Sequence, residues 1–157
     1  MELILWRHAE PEDAAPGQAD ARRQLTTHGH KQARRMAHWL NAHLPESTEI
    51  LVSPAVRTQQ TVESLGRRYR TVAELGSGAE PETLLEAANW PWSHRPVLVV
   101  GHQPTLGQVA ALLLSGRAAH WPVRRAQVWW FCQTDPEDVR TLFLRAVVGP
   151  ELLSNGP

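Results

Sequence analysis

Three short segments, Glu2–Trp6, Glu49–Ser53 and Pro96–Val100, are apolar at nearly every position, and each stops abruptly at polar residues. Such runs, too short for a helix and without alternation, predict strands buried on both faces of a sheet. Between them the period changes. Ala33, Met36, Ala37, Leu40 and Leu44 recur at helical spacing, with Thr26 or Thr27 as the cap and Pro45 as the stop. Pro54 opens a polar helix through about Arg68, Pro81 starts another that reaches Ala88, and Thr105 to Leu114 forms a third. Arg70 to Leu75 reads as a further short strand. Pro11 to Gln24, rich in Ala, Asp, Pro and Gly without a period, reads as a loop. Ala126–Cys132 and Thr141–Val148 flank the polar turn Gln133–Asp138 and close the chain as an antiparallel pair. Strands interleaved with helices predict an α/β fold, a three-layer α/β/α sandwich around a mainly parallel sheet.

Composition narrows the class. With 157 residues, 42% hydrophobic and 20% charged, the chain is expected to form a single domain over residues 1–157. Cys132 has no intrachain partner, and no charged segment leads into an apolar one at the start, so a cytoplasmic protein is expected. No apolar run approaches the roughly 18 residues of a membrane span. Sixteen Lys+Arg balance sixteen Asp+Glu, which gives no general electrostatic ground for nucleic-acid binding. A monomer or weak dimer is expected.

The chemistry gathers where the strands stop. Arg7 and His8 follow the first strand, Ser53, Pro54 and Arg57 the second, and His102 the third. In open α/β sheets that edge is where ligands bind. Arginine forks match phosphate oxygens, a histidine with a free ring nitrogen can attack phosphorus, and a second, protonated histidine can stabilise the developing charge. Other sites fail on spacing. His38 and His43 are five apart and do not share a helix face, and His28 and His30 belong to no zinc signature, so no metal is expected. Asp138 stands where a cysteine phosphatase loop after Cys132 would need arginine. Pro81 stands where a dinucleotide loop after Gly76 would need its last glycine. Surface arginines such as Arg34, Arg35, Arg67 and Arg68 read as solvated helix faces. Trp90, Trp92 and Trp121 lie near loops and are candidates for lining a partner surface.

Four segments together resemble the histidine phosphatase superfamily, the phosphoglycerate mutase-like or RHG group. Leu5-Trp6-Arg7-His8-Ala9 is similar to its first-strand signature, and Leu25 to Ala33 to its L-T-x-x-G-x-x-Q-A helix start. Ser53 to Thr61 is similar to its S-P-x-x-R-x-x-Q-T segment, and Val99-Val100-Gly101-His102 supplies the second histidine. The short chain and the run Gly101 to Leu106 further resemble the SixA-type phosphohistidine phosphatases, which lack a cap domain. The resemblance implies a phosphoglycerate mutase-like fold in which His8 is the nucleophile and is transiently phosphorylated. Arg7, Arg57 and His102 would bind the phosphoryl group, with no cofactor.

The chain departs from the wider pattern at two points. Ala9 replaces a glycine, which is mild where φ is negative. Gln103 follows His102 where ester phosphatases of the superfamily commonly place a carboxylate, which leaves Glu10 and Glu86, with Glu80 and Glu82 behind them, as candidate general acids. An alkoxide needs a proton as it leaves, whereas imidazole, with a reference pKa of about 6.5, leaves more readily. His102 follows Arg57 by only 45 positions, which leaves little chain for a lid. The expected activity is therefore a phosphatase acting on protein phosphohistidine, with a phosphotransfer domain as an example of its partner. A phosphatase of small phosphate esters or polyphosphate, and a non-catalytic phosphate- or phosphoprotein-binding module, are the alternatives.

Overall fold

The computed structural model describes residues 1–154. Its strands are β1 (Glu2–Arg7), β2 (Glu49–Val52), β3 (Arg70–Thr71), β4 (Val97–Gly101), β5 (Val128–Gln133) and β6 (Leu142–Val148). The longer helices are α1 (Thr27–His43), α2 (Val56–Glu63), α3 (Pro81–Ala87) and α4 (Thr105–Ser115). The sheet order is β3-β2-β4-β1-β5-β6. Strands β1 to β4 pair in parallel, while β5 runs antiparallel to β1 and β6 antiparallel to β5.

Strand alternation sorts the apolar residues into two cores. Ile4, Trp6, Leu98 and Val100 face Met36 and Leu40 of α1 and Val62 of α2. Leu3, Leu5, Val97 and Val99 face Leu84 of α3 and Leu106 and Val109 of α4. Both faces of β1 and β4 are therefore covered, which explains why their sequences are uniformly apolar. The expected three-layer α/β/α sandwich is the observed one. Register places Arg7 opposite Gly101, so the residues that follow β1 and β4 emerge side by side.

The element boundaries differ from expectation where local bonds override the pattern. Pro54 lies outside α2, which is preceded by extended Ala55, and the helix ends at Glu63 rather than Arg68. Gly66, with φ +66°, turns the chain out of it, with amides of Leu65 and Gly66 bonded to Val62 and Glu63. Arg67 is consequently no solvated helix face. Its guanidinium donates to Asn41 and to the carbonyls of Leu44 and Pro45, meeting the otherwise orphaned end of α1. The strand expected over Arg70 to Leu75 stops at Thr71, because a 3-10 turn at Ala73–Leu75 rolls Val72 and Leu75 into the core. β5 starts at Val128, two residues later than expected, since Ala126 has a left-handed φ of 62° that no strand residue adopts.

Candidate active site

His8 is the first residue beyond β1, and its backbone is stitched on both sides. Its amide donates to Gly101 (3.2 Å), and its carbonyl accepts from Ala126 (3.0 Å). The ring is buried and tilted 56° against that of His102, with centroids 5.4 Å apart. Nδ1 lies 2.8 Å from the Ala9 carbonyl oxygen. A carbonyl can only accept, so Nδ1 carries the proton and Nε2 keeps its lone pair. Burial above all, then the field of His102, Arg7 and Arg57, pushes the ring down to about 3, although the bond to Ala9 opposes the shift. Nε2 is therefore unprotonated at neutral pH, the form in which a ring nitrogen can act as a nucleophile.

His102, just past β4, is equally buried. Its Nε2 lies 2.7 Å from the Ser53 hydroxyl, which accepts from the Ala55 amide at 3.2 Å. With that hydroxyl donating to Nε2, the ring proton sits on Nδ1. Burial first, then Arg57 and Arg7, lower His102 to about 4, with Asp20 pulling the other way. Burial and the two guanidinium groups favour the neutral form of the ring, which still offers a donor through one nitrogen.

Arg7 ends β1 and donates through Nη1 to the Val123 carbonyl (3.0 Å), while Arg57, in the first turn of α2, donates to Asp20. Burial first, then Arg125 and Arg57, hold the Arg7 guanidinium below its usual value. Among the described residues, three buried side-chain nitrogens lack a hydrogen-bond partner: Arg7 Nε, Arg57 Nε and His102 Nδ1. Buried donors are ordinarily satisfied. Three of the four residues read from sequence thus carry an unpartnered buried nitrogen, the kind of donor that an oxyanion can engage.

The motifs around them are supports. Thr26 caps α1 by accepting from Gly29 (2.8 Å). A Cβ on Gly29 would overlap the Glu10 carbonyl, so glycine is required for α1 to reach the loop after His8. Gln32 accepts from the Glu10 amide, Gln60 from the Leu25 amide, and Thr61 from the Ala9 amide. Ala9 has no positive φ, in keeping with the absence of the usual glycine. Gln103 donates to the Trp121 carbonyl (2.8 Å) and accepts from the Gly107 amide (2.7 Å), which ties the start of α4 to the loop that carries Val123 and Ala126. The roles of Asp20, Gln103 and that loop escaped sequence reasoning. Only the fixed spacing of Gln32, Gln60 and Thr61 pointed to their supports.

The carboxylates divide clearly. Glu10 lines a cleft of about 720 Å³ together with Arg7, Gln103, Arg124 and Arg125, and it bonds Thr26 (2.9 Å) and pairs with Arg125 (3.8 Å). Glu86 does not join it. It is exposed on α3, opposite the face that buries Leu84, and its side chain makes no hydrogen bond or ion pair among the described residues. Among those residues no group of three or more His, Cys, Asp or Glu side chains could hold a metal ion, and no helix is long and apolar enough to cross a membrane. Cys132 is a buried residue of β5. Trp90 and Trp121 pack against the core beside α3 and α4, while Trp92 is exposed in a separate hollow with Met1 and Pro91.

The family model described as "Histidine phosphatase superfamily (branch 1)" matches residues 3–77. The phosphohistidine phosphatase SixA of Escherichia coli is 33% identical over 128 residues, which cover 74% of this chain and 76% of that one. The chain belongs to the histidine phosphatase superfamily. Its SixA branch is the one matched. The SixA homolog of Haemophilus influenzae is 30% identical over 152 residues, covering 83% of this chain and 88% of its relative. A solved structure of the protein histidine phosphatase SixA complexed with tungstate superimposes with a TM-score of 0.75 at 26% identity, covering 97% of this chain and 99% of the other. The phosphoglycerate mutase-like fold expected from the motifs is thus the observed one. Membership of the superfamily supports phosphatase chemistry.

Proposed function

We propose that this protein hydrolyses phosphohistidine in a partner protein through a phosphoryl group carried on His8. The observation that carries the reading is the meeting of a histidine whose Nε2 holds a lone pair with three buried, partnerless donors, Arg7 Nε, Arg57 Nε and His102 Nδ1. In the first step His8 Nε2 forms a bond to phosphorus as the bond from phosphorus to the substrate imidazole breaks. The three donors take up charge on the equatorial oxygens. The distal nitrogen of the departing ring can already carry a proton, so the ring leaves as neutral imidazole without an acid from the site. Water then attacks phosphorus, the His8–phosphorus bond breaks, and inorganic phosphate departs.

Gln103 supports a phosphoramidate over an ester. Its amide is committed to Trp121 and Gly107, so the position after His102 provides no acid. Glu10, in the cleft beside Arg7, favours a second reading, the hydrolysis of small phosphate esters with Glu10 as proton donor. Phosphate release from a histidine-phosphorylated carrier protein, measured beside p-nitrophenyl phosphate and sugar phosphates, separates the two. Preference for the carrier, abolished in His8→Ala and retained in Glu10→Gln, is the expected result. Preference for a small ester that Glu10→Gln abolishes would establish the second reading. A protein that binds phosphate but releases none from any compound would be a binding module.

A further inference from the structure

A carboxylate is an odd neighbour for a phosphate site, yet Asp20 sits directly on Arg57. Residues 11–25 form a strap bonded to itself. Pro11 bridges Leu25, the Glu12 amide donates to Gln24 (2.7 Å), Gln18 reaches back to Ala15 and Arg22, and Arg23 donates to the Glu12 carbonyl (2.8 Å). At the far side of the strap a 3-10 turn, Asp20–Arg22, meets α2. There the Asp20 carbonyl accepts from Arg57 Nη1 (2.9 Å) and its Oδ2 accepts from Nη2 (3.0 Å), while Oδ1 pairs with Arg23 (3.1 Å).

Both contacts fall on the terminal nitrogens. A guanidinium held at Nη1 and Nη2 by one residue is fixed in plane and in rotation, and its remaining edge, Nε with one Nη hydrogen, is left for another ligand. That edge carries the buried nitrogen without a partner. Asp20 itself is 57% exposed at its side chain, so it is no part of the core, and the strap holds it by its own bonds.

From this geometry we infer that Asp20 is a positioning residue, whose carboxylate sets the Arg57 fork so that its Nε edge faces the phosphoryl group. The inference deepens the phosphoryl site proposed above and rests on it. It makes a prediction whose sign is unusual. Removing a negative charge beside an anion site should tighten anion binding if charge alone counts. If Asp20 acts by orienting Arg57, the same change weakens binding, because a donor displaced by about 1 Å forfeits much of its contribution.

Tungstate, a tetrahedral oxyanion, is the probe, with its affinity measured by titration calorimetry on the whole protein. Asp20→Asn keeps the shape and the carbonyl contact, and it should weaken tungstate on the order of tenfold. In an Arg57→Ala background the same substitution should produce no further loss, a coupling that a general loosening of the strap would not show. Equal or tighter binding by Asp20→Asn would overturn the inference, as would an undiminished loss in the Arg57→Ala background or a wild-type protein that does not bind tungstate. Turnover is a separate readout: a protein that binds tungstate in the expected order but releases no phosphate would refute the proposed activity and leave the positioning role standing.

Discussion

Acidification should remove stability from this protein through two rings. His8 is pushed down to about 3 and His102 to about 4, in both cases chiefly by burial, while an unfolded chain titrates histidine near 6.5. Below that value the unfolded state takes up protons that the folded state refuses. The stability contributed by the neutral rings is therefore complete above the unfolded pKa and is lost as the pH falls toward the folded ones. Between pH 7 and pH 5 the linkage relation gives about 2 kcal/mol for each ring and about 4 kcal/mol for the pair. Against the roughly 5–15 kcal/mol of a typical domain that is a large fraction. Urea unfolding followed by tryptophan fluorescence at a series of pH values measures the change. His8→Asn, which retains an amide donor for the Ala9 carbonyl, should show about half the wild-type dependence. A wild-type loss below about 1 kcal/mol over this range, or an undiminished dependence in His8→Asn, would refute the reasoning.

Three further outcomes test the supports. Gly107→Ala drives a Cβ into the Trp121 carbonyl and should cost about 1–3 kcal/mol or more in chemical unfolding, together with a fall in phosphate affinity as the loop carrying Val123 shifts from Arg7. Gln103→Glu replaces the donor to Trp121 with an acceptor; a loss of about 1–3 kcal/mol is expected, with no gain in turnover of phosphate esters. Thr61→Val strands the buried Ala9 amide and should cost about 1–3 kcal/mol in unfolding, with kcat falling more than KM rises because the residue after His8 loses its anchor.

The fold was legible because both faces of β1, β2 and β4 are buried, which leaves little but apolar residues in those segments, and because α1 keeps an unbroken helical stripe. The four candidate residues were legible because each stands at the end of such a strand or just beyond it. What could not be read depends on bonds between distant segments. Nothing local to Arg67 shows that it caps α1, and nothing local to Asp20 shows that a loop without a period folds back on Arg57. Ala126 reads as a strand residue because its neighbours are β-formers, whereas it adopts a left-handed backbone and bonds to the distant Trp6 and His8. By residue type alone Glu86 and Glu10 are equal candidates, and only the path of α3 separates them.

The bonds that orient Trp6, Arg7 and His8 from beyond the first strand have an order in time as well as in space. Their partners are Gly101, Val123, Ala126 and Gln127, all in the last third or so of the chain. A ribosome makes the first histidine well before its anchors. Until residue 102 is made the chain lacks the second histidine, and from there to Gln127 it carries the four motifs without the full set of anchors. A chain cut between His102 and Val128 would carry all four signature segments and still lack the strand that braces them, so counting such motifs in gene fragments would overstate the number of working sites.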